Sequence, residues 1–304
     1  MAPTLYTAVR GVVCLRVLSI SLDLARSFID IDAILGYILE RQNDDGGYTF
    51  CRGTDSSAED TFYAIETLRI LGVKPRNIDK TISFLKNLQH SDGGFDSIKI
   101  AYYVVKSLSI LGSNLPRSTY RLIDEVKDII SSLGELSEVY VEITSELEYL
   151  HLAVELSSML GIGVDRDNLI DGVLKFKNSD GSFGSVKLSR IASTSYALDI
   201  LRIAGYRIDT LADTLLWVRR CESPYGGFGY EPGAKPINLE DTYFGLKILE
   251  ALGEKPRYPI ETLRFIAKLQ NINGGFRRSI FLGISDLEST YRAVYSAAVT
   301  FPYL

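Results

Sequence analysis

The sequence predicts an all-α fold in which six helical hairpins close into a ring around a central cavity. Three observations lead to this prediction. A Gly-Gly-aromatic triplet recurs along the chain, a second glycine marker alternates with it, and the apolar residues between the markers lie three or four apart. A regular repeat of about 20 to 50 residues is typical of repeat architectures, and apolar spacing of three to four residues is typical of helices.

The triplet and its variants set the length of the repeat. They start at Gly46, Gly93, Gly181, Gly226 and Gly274, so that successive steps are 47, 88, 45 and 48 residues. The step of 88 residues equals two ordinary steps, and a degenerate copy is therefore expected near residue 137, where the segment Ser131–Leu136 fits. The three glutamines of the chain, Gln42, Gln89 and Gln270, each stand four residues before a triplet.

Each triplet is followed by an apolar, tyrosine-rich helix, which should be buried on more than one side. These inner helices are expected at Glu59–Leu71, Ser97–Leu111, Ser145–Leu160, Ala192–Ala204, Leu239–Leu252 and Asp286–Val299. The helices before the triplets carry polar faces and should form an outer layer. A closed ring is favoured over an open solenoid, because the last helix is as apolar as the middle ones whereas a solenoid needs polar end caps.

The repeats predict one domain over residues 1–304, with six units of roughly 41–48 residues from about residue 28. Residues 1–27 should form an extra amphipathic helix, because Arg10 and Arg16 interrupt its apolar run at helical spacing. A signal peptide or a membrane-spanning helix needs an uninterrupted apolar run. No transmembrane segment is therefore expected.

Composition excludes some partners. The net charge of -5 offers no basic face for nucleic acid. The three cysteines, Cys14, Cys51 and Cys221, are scattered and odd in number. This pattern is typical of a reducing compartment and predicts a cytoplasmic protein.

The segment Phe84–Phe95 (FLKNLQHSDGGF) and the stretch from Gly226 to Tyr243 resemble the prenyltransferase and terpenoid-cyclase superfamily of α/α toroids. The resemblance spans about residues 30 to 304 and is close to the β subunits of protein prenyltransferases. It implies an (α/α)6 toroid that binds an isoprenoid or a prenyl diphosphate. It also leaves room for a helical partner subunit, as the protein prenyltransferases have.

The resemblance does not extend to the family's zinc ligands. Transferases of the family hold zinc with an Asp-x-Cys-Tyr segment and with a His three residues before a Tyr. Matching the tyrosines places Glu240, Thr242 and Glu288 at these positions. Zinc prefers thiolate and imidazole ligands, so zinc is not expected here.

Two further family motifs are missing. The Arg and Lys that grip the diphosphate in the family correspond to Ala234 and Ile237. The Asp-x-Asp-Asp acid of the cyclase branch is absent, and its nearest match, Asp30-Ile-Asp32-Ala, is expected to cap an outer helix.

Carboxylates cluster where the inner helices begin, and Asp60, Glu240 and Asp241 are the candidate catalytic residues. In a toroid these helix starts share one rim, where the carboxylates could bind Mg²⁺ or donate a proton. The alternative is that they only cap helices, because Ser57-x-x-Asp60, Asn238-x-x-Asp241 and Ser285-x-x-Glu288 resemble capping boxes. No cofactor is assigned.

Two groups of residues are expected to bind the ligand. Lys235 and Arg190 lie near inner-helix starts, whose dipoles also favour an anion such as diphosphate. Aromatic walls suit a polyisoprenoid chain. The tyrosines expected to form them are Tyr63, Tyr102, Tyr196, Tyr243 and Tyr291.

Three functions therefore stay open. The favoured hypothesis is transfer of a prenyl group without a zinc-bound thiolate. The second is a terpene-cyclase-like enzyme that uses a cavity Asp as its acid. The third is a non-catalytic lipid-binding or scaffold toroid.

Overall fold

A computed structural model describes residues 27–115, 118–132, 145–185, 189–281 and 283–304. These residues include twelve α-helices, which alternate between an outer and an inner layer. The outer helices are α1 (Ile31–Leu39), α3 (Ile78–Asn87), α5 (Tyr120–Ser131), α7 (Arg166–Leu174), α9 (Ala212–Cys221) and α11 (Pro259–Ala267). The inner helices are α2 (Ala58–Ile70), α4 (Ile98–Ile110), α6 (Glu146–Leu160), α8 (Arg190–Ile203), α10 (Leu239–Ala251) and α12 (Leu287–Thr300). Two short 3-10 helices lie at Ile208–Thr210 and Phe301–Tyr303.

The inner helices form a closed ring. Each of them packs against the inner helix before it and the one after it, and α12 packs against α2. The predicted all-α (α/α)6 toroid is confirmed. Of the predicted extra helix, residues 1–26 lie outside the described residues, as does most of the degenerate triplet copy, from residue 133 to 136. No helix in the described part of the chain is long and apolar enough to cross a membrane.

The first glycine of each triplet touches the outer helix of the next repeat or, at Gly93, Ser118 just before that helix. At Gly226, φ is +99°, and a Cβ would lie 2.2 Å from the carbonyl oxygen of Glu261. At Gly274, φ is +87°, and a Cβ would lie 2.0 Å from the carbonyl oxygen of Ala33 in α1. Only glycine tolerates both this backbone conformation and this approach. The recurring triplet is therefore the joint between neighbouring units.

The three glutamines strengthen the same joint. The Nε2 atom of Gln42 donates to the oxygens Gly46 O (3.2 Å) and Thr81 Oγ1 (3.0 Å). Gln89 donates in the same way to the carbonyl oxygens of Gly93 (3.0 Å) and Ser118 (3.2 Å). Gln270 donates to the carbonyl of Asp30 (2.9 Å) and accepts from its N–H (2.8 Å). This last pair closes the ring between the end of the chain and its first outer helix.

In four units, a threonine on the inner helix accepts a hydrogen bond from the backbone of the aromatic residue of the triplet. The backbone N–H of Tyr48, Phe183, Phe228 and Phe276 donates to Thr61 (2.9 Å), Thr194 (3.0 Å), Thr242 (3.2 Å) and Thr290 (3.1 Å) respectively. All four aromatic side chains are fully buried. These contacts fix the rotation of these four inner helices about their own axes, and hence the residues that face the centre.

Side-chain caps start most of the helices. The carboxylate of Asp30 accepts from the N–H of Ala33 (2.9 Å), which confirms the predicted capping role. The prediction that Ser285 caps α12 is wrong, because that helix begins after Asp286, whose carboxylate accepts from the N–H of Ser289. The hydroxyl of Ser285 instead hydrogen-bonds to the triplet loop, at Asn271 (2.7 Å) and Asn273 (3.0 Å).

The joint at Gly274 can be tested against Gly53, whose φ of +89° is nearly the same but where an added Cβ would meet open space. Gly53→Ala should cost only the strain of the left-handed backbone, roughly 1–2 kcal/mol. Gly274→Ala should lose about 1–3 kcal/mol more from overpacking against α1. Urea unfolding of both variants measures the difference, and equal losses would contradict the joint.

Candidate functional site

The six inner helices enclose a central cavity of about 290 Å³. Every residue that lines it belongs to an inner helix. Since the helices are equivalent units of one repeat, side chains at equivalent positions form layers across the cavity. We distinguish a rim at the helix starts, an aromatic layer below it and a charged layer below that.

The aromatic layer forms an unbroken circuit. Its ring centroids follow one another at 5.1–6.4 Å, in the order Phe62, Tyr102, His151, Tyr196, Phe244, Tyr243, Tyr291 and back to Phe62. Tyr63 and Tyr103 pack against the same circuit. The five tyrosines that the sequence suggests for ligand binding, Tyr63, Tyr102, Tyr196, Tyr243 and Tyr291, all line the cavity.

The faces of these rings are already next to positive charge. The ammonium of Lys106 lies 4.9 Å from the centroid of Tyr102, and that of Lys247 lies 5.7 Å from the centroid of Tyr243. The guanidinium of Arg292 lies 5.6 Å from the centroid of Phe244. Aromatic faces attract cations through their quadrupole, so these rings and the three side chains stabilise each other.

The charged layer lies one turn further along the helices. It consists of Glu66, Lys106, Glu155, Asp199 and Lys247, one from each of five successive inner helices. The side chains pair with one another: Lys106 Nζ lies 2.5 Å from Glu155 Oε2, and Lys247 Nζ lies 2.8 Å from Asp199 Oδ2. Glu155 and Asp199 therefore neutralise the two ammonium groups of this layer, and Glu66 pairs with Arg69 of its own helix, at 2.6 Å.

Both carboxylates of these pairs stay ionised. Burial disfavours the charged form of Asp199, but the Lys247 ammonium outweighs it and keeps the pKa of Asp199 well below its usual value. In the same way, Lys106 outweighs the burial of Glu155 and lowers the pKa of that carboxyl to about 2. Neither group can serve as a proton donor near neutral pH.

The rim is the place where the family carries zinc, and its residues here do not fit that metal. Arg292 lies between two carboxylates, 3.1 Å from Glu240 and 2.8 Å from Glu288. The hydroxyl of Thr242 is occupied, because it accepts from Phe228 N–H and donates to the carbonyl of Asn238 (2.7 Å). Among the described residues, no group of three or more His, Cys, Asp or Glu side chains could hold a metal ion.

Glu148 differs from the other rim carboxylates. It lines the cavity, and its carboxyl accepts no hydrogen bond from the described residues, whereas Glu240 and Glu288 each contact Arg292. Burial raises the pKa of Glu148, and the charges of Lys99 and Arg292 offset this only in part. A raised pKa in a cleft marks a candidate proton donor.

Asp60 and Asp241, which the sequence suggests as catalytic residues, take part in helix caps and do not line the cavity. Asp241 accepts from Ser189 (3.1 Å) and from Asn238 (2.7 Å), so it ties the starts of α8 and α10 together. Burial raises the pKa of Asp241 to about 6. Glu240, the third candidate, also lies outside the cavity lining and holds Arg292 and Arg278.

Neither of the two cations suggested for diphosphate binding lines the cavity. Lys235 is exposed in the loop before α10. Arg190 is paired with Asp180 (2.9 Å) and Glu231 (2.7 Å).

The sequence did not single out Glu148 among the carboxylates at the inner-helix starts, and the cavity roles of His151 and Glu155 were missed. These residues lie three and four positions apart on α6 and therefore share one helix face. Polar residues at that spacing in an otherwise apolar inner helix are the signal that could have found them.

The chain matches a known protein family over nearly its whole length. The model of the prenyltransferase alpha-alpha toroid domain matches residues 4–97, 96–193 and 186–304. A comparison with curated protein sequences gives no match.

Several solved structures share the fold. Protein geranylgeranyltransferase-I of Candida albicans, complexed with GGPP, is 16% identical with a TM-score of 0.57, and the match covers 79% of this chain and 82% of that one. A variant of the type II terpene cyclase MstE from Scytonema, in complex with the substrate geranylgeranyl dihydroxybenzoate, is 13% identical with a TM-score of 0.61. The match covers 96% of this chain and 99% of that one. A protein from Actinoplanes is 14% identical with a TM-score of 0.59, and the match covers 93% of this chain and 100% of that one.

At these identities the structures establish the fold and not the reaction. The family model, in contrast, covers almost every residue of the chain. The chain belongs to the prenyltransferase alpha-alpha toroid family.

Proposed function

We propose that this toroid binds a short, neutral isoprenoid in its central cavity and cyclises it through a carbocation. The observation that carries the proposal is the closed circuit of aromatic rings around the cavity. Such walls bind a hydrocarbon chain and stabilise positive charge within it. Two solved structures of the same fold also hold prenyl groups, one in GGPP and one in geranylgeranyl dihydroxybenzoate.

The charges of the cavity favour a neutral ligand over a diphosphate. Six cationic side chains line it: Arg69, Lys99, Lys106, Arg202, Lys247 and Arg292. Six carboxylates line it as well: Glu66, Glu148, Glu155, Asp199, Glu250 and Glu288. Each of the six cations already lies within 3.4 Å of a carboxylate oxygen. A diphosphate would have to break these pairs and leave buried carboxylates unpaired, which is costly.

Glu148 supplies the proton in this proposal. Glu148 lines the cavity, and burial holds more of its carboxyl in the protonated form than usual. The proton passes from Glu148 to a terminal double bond or to an epoxide oxygen of the ligand, and positive charge develops on the adjacent carbon. Asp199, the aspartate of the described cavity lining, is kept ionised by Lys247 and cannot take this role.

The second candidate is prenyl transfer without a zinc-bound thiolate. It is favoured by the six inner-helix starts, whose dipoles attract an anion, and by Lys99 and Arg278 nearby. Binding of an isoprenoid without turnover would instead indicate a lipid carrier or a scaffold.

Ligand charge separates the first two functions. Native mass spectrometry of the protein with geraniol and with geranyl diphosphate should show geraniol bound at least as tightly, because the lining offers no uncompensated positive charge. A preference of tenfold or more for the diphosphate, which corresponds to about 1.4 kcal/mol, would contradict cyclisation of a neutral ligand and support prenyl transfer.

The volume of the cavity should determine which length of isoprenoid binds most tightly. The volume of about 290 Å³ lies at the lower end of ligand pockets, which span about 300–1,000 Å³. We therefore expect geraniol to bind more tightly than farnesol or geranylgeraniol. Tyr291→Ala removes a ring from the aromatic circuit and should shift the preference to farnesol, at a stability cost of about 3–5 kcal/mol.

The matched control for that variant is Tyr120→Ala, which removes an exposed tyrosine from outer helix α5. It should leave the preference unchanged. If Tyr291→Ala also keeps the original ligand preference while remaining folded by circular dichroism, the isoprenoid does not lie in the aromatic layer.

Glu148→Gln should retain isoprenoid binding and lower cyclisation of the terminal epoxide of geraniol by about 100-fold or more, the usual contribution of a general acid. Since the protonated form is active, wild-type turnover should fall as the pH rises through the pKa of Glu148. The control is Glu125→Gln on α5, because burial also raises the pKa of Glu125 but this residue does not line the cavity. Product analysis by gas chromatography is the measurement, and equal turnover in both variants would exclude Glu148 as the acid.

A further inference from the structure

The charged layer of the cavity has hydrogen-bond donors that its ion pairs do not use. An ammonium group carries three N–H donors. The ammonium of Lys247 meets one acceptor among the described residues, Asp199 Oδ2 at 2.8 Å, so two of its N–H groups have no partner there. The ammonium of Lys106 meets two acceptors, Glu155 Oε2 at 2.5 Å and the hydroxyl oxygen of Tyr102 at 2.8 Å. One further N–H group therefore stays available in this layer.

The same layer also has an acceptor that its ion pairs do not use. Glu155 Oε2 accepts from Lys106 and from the hydroxyl of Tyr102 (3.2 Å). Glu155 Oε1 accepts from no described residue, since Nε2 of His151, at 3.9 Å, is beyond hydrogen-bonding distance. The side chains of Lys106, Lys247 and Glu155 are 19–27% exposed. Because they belong to inner helices and line the cavity, a ligand inside the ring can reach them.

Both ammonium groups stay charged and therefore remain donors. Burial lowers the pKa of Lys247, but the carboxylate of Asp199 outweighs burial and raises this pKa above its usual value, and Glu155 acts in the same direction. Burial also lowers the pKa of Lys106, and the carboxylates of Glu155 and Glu66 outweigh it. Because Glu155 and Asp199 neutralise the two ammonium groups, the layer offers hydrogen bonds to a ligand without an excess of positive charge.

We propose that the charged layer binds the hydroxyl group of an isoprenoid alcohol, so that this end of the ligand lies deepest in the cavity. The hydroxyl oxygen accepts from Lys247, and the O–H donates to Glu155 Oε1. A ligand that fills the cavity displaces water, so a hydrocarbon at this place would leave charged groups without hydrogen bonds, which is costly. A carboxylate would be repelled by Glu155, Asp199 and Glu66. The hydroxyl site rests on the proposed function, because it requires a neutral isoprenoid in the cavity.

A hydroxyl group in the charged layer also determines where the other end of the ligand lies. Glu148 and Glu155 are seven residues apart on α6, which corresponds to about 10 Å along the helix axis. The extended chain of geraniol spans a similar distance from its hydroxyl to its terminal double bond. The isoprene units then lie in the aromatic layer, and the terminal double bond lies next to Glu148, the proton donor of the proposed cyclisation.

Removal of one ion pair tests the hydroxyl site without turnover. The double variant Lys247→Met, Asp199→Asn loses the donors and keeps the net charge of the layer. Its preference for geraniol over myrcene, a hydrocarbon with the same number of carbons and the same terminal double bond, should fall about 10- to 100-fold, the usual contribution of a hydrogen bond to a charged group. Equilibrium dialysis measures both affinities, and circular dichroism checks the fold.

The matched control is the double variant Lys177→Met, Asp213→Asn. It removes a Lys–Asp ion pair that does not line the cavity. This variant should keep the wild-type preference for geraniol over myrcene. An equal loss of preference in both double variants would overturn the hydroxyl site.

The wild-type protein provides a second test that does not depend on the folding of a variant. At pH 7 it should bind geraniol more tightly than myrcene, which cannot pair with Lys247, and more tightly than geranic acid, whose carboxylate Glu155 and Asp199 repel. Tighter binding of either competitor, or an unchanged preference in the folded Lys247→Met, Asp199→Asn variant, would overturn the hydroxyl site and leave isoprenoid binding in place. If the wild-type protein binds none of these ligands, the proposed function fails first, and the hydroxyl site fails with it.

Discussion

The contact between the first glycine of each triplet and the backbone in or just before the next outer helix holds the ring together. At Gly274 the approach is so close that a single methyl group would lie 2.0 Å from the carbonyl oxygen of Ala33. Since the last repeat makes this contact with the first outer helix, the ring of six repeats closes. Gln270 adds two hydrogen bonds to Asp30 at the same place. This closure also sets the size of the cavity, because it fixes the number of inner helices around the centre at six.

The repeat also separates the residues that build the ring from those that face its centre. Thr61, Thr194 and Thr242 face their own triplet loops, and all three accept the same backbone hydrogen bond. Five residues further along each helix the chain places Glu66, Asp199 and Lys247 instead, at equivalent positions in the cavity. The loop-facing positions repeat because the joint is the same in each unit. The chemistry lies in the positions that do not repeat.

The fold could be predicted from the sequence because the regularly spaced glycines mark backbone positions that only glycine can occupy. The sequence was also sufficient for the aromatic wall, since tyrosines recur on the inner helices. It did not distinguish Asp241 from Glu148, each of which is the third residue of its helix. Helix α6 starts one residue earlier than α10 relative to the cavity positions, so Glu148 faces the centre while Asp241 faces the cap. An offset of one residue turns the side chain to another face of the helix. It depends on how the helices pack, and capping patterns in the sequence do not predict it. The ionised state of Asp199 likewise depends on Lys247, which the ring brings in from another helix.

The crystal structure of the protein with bound geraniol tests the cyclisation of a neutral isoprenoid most directly. The chain should lie inside the aromatic circuit, in contact with Tyr243 and Tyr291, with one end next to Glu148. A cavity that stays closed by its own side chains while geraniol binds elsewhere would contradict this function, and would leave the toroid as a scaffold.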